Sequence, residues 1–129
     1  HAAMGIANLK HADKILAKRK EQWLRYRNGL SSRLRVLNLI DEPGFNFAYF
    51  PVFFKTEAEL LKKKKILEAN QIYCRRYFYP SLNTLNYTNQ KSTFVTSERT
   101  AKKVLVLPMF NDLSFEDQNK VISIFNYSN

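Results

Sequence analysis

The chain has 129 residues, 45% of them hydrophobic and 25% charged, which fits one globular domain and excludes a disordered chain. No long apolar run exists to span a membrane, and His1-Ala2-Ala3-Met4-Gly5 does not read as a leader, since no basic stretch precedes a long apolar one. A single cysteine, Cys74, excludes an internal disulfide and a Cys-rich zinc site, and two histidines, His1 and His11, argue against a multi-histidine metal centre. Twenty-one basic against 11 acidic residues leave a net charge of +10, which asks for an anionic partner without choosing it. The three glycines, Gly5, Gly29 and Gly44, are too scattered to form a phosphate loop.

Residues 1 to about 30 read as one long helix. Ala2, Gly5, Leu9, Ala12, Leu16, Trp23, Tyr26 and Leu30 recur at helical steps and form one stripe. Lys10, Lys14, Lys18, Glu21 and Arg25 fall on the other face, with Glu21 and Arg25 at good pairing distance. Gly29 with Ser31 and Ser32 ends it. The start carries no capping residue and no initiator Met, so the chain is expected to be a piece of a longer protein. The small residues at its head, Ala2, Ala3 and Gly5, suit close approach of another backbone, in this domain or in a missing part.

Arg33–Ile40 suits a strand, and Asp41-Glu42-Pro43-Gly44 a turn. Phe45–Phe54 reads as a second strand, in which Pro51 implies an edge or a bulge. Thr56-Glu57-Ala58-Glu59 is a capping box and opens a helix to about Glu68, with Leu60, Leu61, Ile66 and Leu67 as its apolar side and Asn70 as a left-handed exit. Ile72–Phe78 reads as a third strand, and Pro80–Lys91 as a loop. Thr96-Ser97-Glu98 opens a short helix through Lys103. Val104–Leu107 is a buried strand, and Ser114 caps a final helix carrying Val121, Ile122 and Phe125. The order predicts an α+β fold, a long N-terminal helix followed by a short, mostly antiparallel sheet covered by helices.

Lys62–Lys65 spreads over about 400° of helical rotation, so it reads as a solvated helix surface rather than one binding face. A small basic nucleic-acid-binding module is the competing reading of the charge, but no aromatic interleaves these lysines. The stretch from Ile72 to Leu85 holds Arg75, Arg76, Tyr73, Tyr77, Tyr79 and Asn83. Alternation places Arg75 with Tyr77 on one face and Arg76 with Phe78 on the other. One arginine can then sit among aromatics while the other faces out. Arginine forks grip carboxylates or phosphates at two points, and tyrosine hydroxyls suit sugar hydroxyls. The same residues also fit an edge strand with solvated arginines. Cys74 has no histidine near it and reads as a buried small residue; His11 reads as exposed. Asp112, Glu116 and Asp117 lie where carboxylates favour a helix start. No catalytic constellation is complete.

His1–Leu9 with Ile15–Lys20, Tyr49-Phe50-Pro51-Val52, the Arg75–Leu85 string and Val104–Pro108 before Asp112-Leu113-Ser114 resemble the C-terminal part of nucleotide-sugar aminotransferases of the DegT–StrS group. The resemblance implies the small C-terminal domain of a fold type I pyridoxal-phosphate enzyme, residues 32–129, preceded by a linking helix over 1–31 from a large domain. It implies a parent that moves an amino group from glutamate to a keto-deoxy-sugar nucleotide for surface polysaccharide, a homodimer in the cytoplasm with no nucleic-acid or membrane partner. The pyridoxal phosphate would be anchored by a lysine lying before His1. The chain itself would hold no catalytic, cofactor or metal residue. Arg75, Arg76, Tyr77, Tyr79 and Asn83 become its substrate-binding candidates, an arginine for the donor carboxylate or the diphosphate. Tyr77 and Asn83 stand about where family members often carry histidines, and Phe94 where many carry a proline, which leaves the start of the following helix open.

Overall fold

A computed structural model describes residues 1–32, 34–37, 44–88 and 92–127. Helices α1 (Ala2–Leu9) and α2 (Ala12–Gly29) lead into strand β1 (Arg35–Val36) and strand β2 (Phe50–Phe53). Helix α3 (Glu57–Ala69), a 3₁₀ turn at Leu82–Thr84, helix α4 (Val95–Ala101), strand β3 (Val104–Leu107) and helix α5 (Phe115–Tyr127) follow. The strands form one antiparallel sheet in the order β1-β2-β3.

The register explains how the sheet is covered. Phe50 pairs with Leu107 and Val52 with Leu105, so these four share one face, and all are at most 2% exposed. Trp23 and Tyr26 of α2 stack on Phe50 at 5.2 Å, placing α2 over that face. Helix α5 packs on α2 and on α3. Leu60, Leu67, Val121 and Phe125 complete a single core cluster. Burying such aromatic and aliphatic side chains stabilises by roughly 2 kcal/mol each, so this layer holds the fold. Val104 and Val106, on the opposite face, line two clefts.

Polar side chains tie α2 to the 108–113 loop. Gln22 Nε2 donates to the carbonyls of Phe110 (2.9 Å) and Leu113 (3.2 Å), and the Tyr26 hydroxyl to that of Pro108 (3.1 Å). Gln118 Nε2 of α5 donates to the Gln22 carbonyl at 3.0 Å. Loop carbonyls buried without such donors would cost about 1–3 kcal/mol each.

Several sequence expectations need correction. The long first helix breaks at Lys10–His11, where nothing in the local sequence demands it. Its stripe is covered only at the C-terminal end: Trp23, Tyr26 and Leu30 are buried, but α1 has no buried residue. Glu21 pairs with Lys18 at 3.6 Å, while Arg25 turns to Asn119 and the Phe115 ring. Within Phe45–Phe54 only Phe50–Phe53 is strand. Phe47 has φ 52°, outside the extended region, and Asn46 Oδ1 accepts the Ala48 N–H, a local bond that competes with pairing. Pro51 lies in the middle strand, not at an edge. Phe54 N–H donates to the Lys103 carbonyl, so by antiparallel alternation the Pro51 nitrogen points away from β3, at the place where β1 has ended. Ile72–Phe78 reduces to one bridge, in which Arg75 and Val106 exchange both backbone bonds. The left-handed residue after α3 is Gln71 (φ 61°), not Asn70 (φ −96°). Leu61 is 42% exposed and off the apolar side. Of Arg33–Ile40, Arg35–Val36 is strand; Arg33, residues 38–40 and turn positions 41–43 lie outside the described residues.

Helix α3 begins at its expected cap, with Thr56 Oγ1 accepting the Glu59 N–H at 3.1 Å. Ser114 does the same for Asp117 at 3.0 Å, and β3 falls on Val104–Leu107. Helix α4 starts at Val95, with the Glu98 carboxylate accepting the Phe94 N–H at 3.0 Å.

Candidate functional site

Residues 75–83 leave the edge of β3 and run out between the starts of α3 and α4. Arg75 is pinned through its backbone to Val106, and its exposed side chain turns toward Tyr77, Nη1 donating to the phenol oxygen at 2.7 Å. Tyr77 meets the Tyr49 ring edge-on at 5.5 Å. With Tyr73, Ala48 and the 106–110 segment these residues line a cleft of about 370 Å³. This is one guanidinium among three phenols, a set able to hold a phosphate or carboxylate and to stack on a flat ring.

Arg76 points the other way, as alternation predicts. Its Nη2 donates to Glu57 Oε1 at 2.7 Å and to the Lys102 carbonyl at 3.1 Å. Its guanidinium lies 3.5 Å from the centre of the Tyr79 ring. The Glu57 carboxyl is held below its ordinary range, first by the Arg76 hydrogen bond, with burial opposing and Tyr79 adding a further hydrogen bond. Arg76 and Tyr79 are thus engaged within the fold, and neither lines the cleft.

Asn83 is engaged too. Its amide donates to Glu98 Oε1 at 2.7 Å and to the Ser92 carbonyl at 3.2 Å, and its oxygen accepts the Ser81 hydroxyl at 2.7 Å. Ser81 and Ser97 hydroxyls lie 2.6 Å apart. The Glu98 carboxyl is lowered by Asn83 first and then by the Phe94 N–H. This network floors a second, open cleft of about 1170 Å³ between the 77–88 segment and α4, walled by Phe78, Leu82, Phe94 and Val95. Tyr77 lines both clefts and joins them.

Of the five residues read from the sequence, the structure brings Arg75 and Tyr77 together. Arg76 with Tyr79 forms a second group, and Asn83 a third. Glu57, Glu98 and Tyr49 were missed. Glu57 reads in sequence as a helix-start carboxylate, and a half-buried arginine needing a counter-charge was the signal that pointed to it. The Lys62–Lys65 run divides around α3: Lys62 and Lys65 are exposed, Lys63 donates to the Ile124 carbonyl, and Lys64 pairs with Glu68. Cys74 is buried, its thiol pushed up to about 12 by desolvation. His11 is exposed. Among the described residues no three His, Cys, Asp or Glu side chains gather as metal ligands, and no helix is long and apolar enough to cross a membrane.

The sequence model of the DegT/DnrJ/EryC1/StrS aminotransferase family matches residues 1–126. The chain belongs to this family. It is 29% identical over 131 residues to a dTDP-4-amino-4,6-dideoxy-D-glucose transaminase of Shigella dysenteriae, covering 95% of this chain and 35% of that protein. Among solved structures, DesI, determined in the presence of its TDP-sugar product, superposes with a TM-score of 0.79 at 26% identity over 95% of this chain and 33% of DesI. The aminotransferase TlmJ of Streptoalloteichus hindustanus gives a TM-score of 0.85 at 22% identity, over 96% of this chain and 34% of TlmJ, a likeness of fold. The chain therefore spans about a third of the length of these relatives.

Transamination by pyridoxal phosphate needs a lysine amine for the Schiff base. Neither cleft is lined by a lysine, so neither supplies that amine. What they offer is groups that bind and orient.

Proposed function

We propose that this chain is the linking helix (residues 1–31) and small domain (residues 32–129) of a pyridoxal-phosphate-dependent sugar aminotransferase. In that enzyme an amino group passes from glutamate, leaving 2-oxoglutarate, to the carbonyl carbon of a nucleotide-linked keto-deoxy-sugar. The lysine that anchors the cofactor lies outside this chain. The observation that carries the reading is the family match over residues 1–126. The named activity of the Shigella relative and the sugar-nucleotide product of DesI support the substrate class.

Within this chain Arg75 and Tyr77 are the substrate-binding pair. Arg75 is exposed, has a fork free to meet an anion beyond its bond to Tyr77, and lines the smaller cleft. Tyr77 accepts from Arg75 and keeps its phenol proton to donate. The pair takes the diphosphate or the donor carboxylate. The enzyme is a cytoplasmic homodimer making amino sugars for surface polysaccharide.

The test is the full-length protein, incubated with glutamate, pyridoxal phosphate and dTDP-4-keto-6-deoxyglucose, the keto counterpart of the relative's amino sugar. The expected result is one 2-oxoglutarate per amino sugar formed, with a Schiff-base absorbance from the protein. No 2-oxoglutarate with any dTDP- or UDP-linked keto-sugar contradicts the reading.

A further inference from the structure

We propose that Glu57 and Arg76 are positioning residues: their ion pair, capped by the Tyr79 ring, aims the neighbouring Arg75–Tyr77 pair without touching ligand itself. The inference rests on the binding role given to Arg75 and Tyr77 above.

Arg76 stands between the two members of that pair, and its side chain goes to the opposite face. There it joins three parts of the chain at once. Glu57 opens α3, 19 residues away, and the Lys102 carbonyl lies in the turn before β3, 26 residues away. Tyr79 covers the guanidinium from the outside. The Arg76 side chain is 13% exposed and Glu57 is 31% exposed. Both bonds hold Nη2, the Tyr79 ring lies over the guanidinium, and Arg76 lines neither cleft, so it is placed to position and not to meet a ligand. Its effect passes through the backbone: Arg75 is fixed on one side by the exchange of bonds with Val106 and on the other by the Arg76 clamp. Two-point recognition of an anion depends on placement within a fraction of an ångström. Releasing the clamp lets the 76–83 segment swing and spoils that placement, while the core under α2 stays intact.

The experiment is a double-mutant cycle in the full-length protein with Glu57→Gln and Arg76→Gln, read as the KM for the sugar nucleotide. Each single change is expected to raise KM by about tenfold with kcat within about threefold, and the double change to be no worse than the worse single. Tyr79→Phe, which removes one hydroxyl, is expected to raise KM by about twofold and serves if Arg76→Gln does not fold. Effects that multiply in the double variant would mean that Arg76 meets the ligand itself and would overturn the proposal. So would an unchanged KM, or a loss confined to kcat. A second measurement separates this inference from the aminotransferase reading. In the full-length protein, Glu57→Gln is expected to speed amide exchange of residues 75–88 by about tenfold and to leave α5 unchanged. Unaltered exchange there overturns the clamp whatever reaction the parent catalyses.

Discussion

Arg76 Nη2 lies 2.7 Å from the Glu57 carboxylate, while the adjacent Arg75 guanidinium stays exposed beside the Tyr77 hydroxyl. Period-two alternation is enough to part the two arginines. It cannot say which is held and which is free, because Glu57 and Tyr79 reach Arg76 through the fold. The same limit applies to Asn83, whose partner Glu98 arrives with α4. Cys74, by contrast, was legible as a buried small residue. Its folded thiol is raised to about 12 by desolvation, above the ordinary value of about 8.5. The stability tied to the neutral thiol is fully present below pH of about 8.5 and is lost as pH rises from there toward 12. At pH 8 a thiol-labelling reagent should therefore react with the folded chain far more slowly than with the urea-unfolded chain. Equal rates would show that Cys74 is not enclosed.

Elements whose signals are local came through. Thr56 and Ser114 cap α3 and α5 through short-range bonds, and the apolar run Val104–Leu107 forms β3. Elements that depend on distant partners did not. Phe45 and Phe47 have strand-like composition, but both rings are drawn edge-on to Trp23, at 5.8 and 5.9 Å, and the backbone between Gly44 and Phe50 follows the rings. Gly29 reads as a helix terminator, yet it also lets α5 come close: a Cβ there would lie 2.7 Å from Ile122 Cδ1. Gly29→Ala should lower stability by about 1 kcal/mol, since Ile122 must shift. With Ile122→Ala already in place the same change should be nearly neutral. Urea midpoints of the four chains check this, and a full penalty in the Ile122→Ala background would refute the contact.

At the scale of the whole molecule, three helices cover one face of the sheet and leave the other to the 75–88 segment, α4 and the two clefts. The α+β class and the helix-covered antiparallel sheet could be read from the order of elements. The exposed state of α1, with Met4, Ile6 and Leu9 each more than 60% exposed, could not, because a stripe in sequence does not say what covers it. Sequence and fold agree on the family, and about two thirds of its relatives' length lies beyond the match. In the function proposed above, this chain's share is to grip and aim, and Arg75 carries most of it. In the full-length protein, Arg75→Ala should raise the KM for the keto-sugar nucleotide by at least about tenfold, the loss of one charge-assisted contact, whereas Lys62→Ala on the exposed side of α3 should change it by less than about twofold. A KM unchanged by Arg75→Ala would contradict the account.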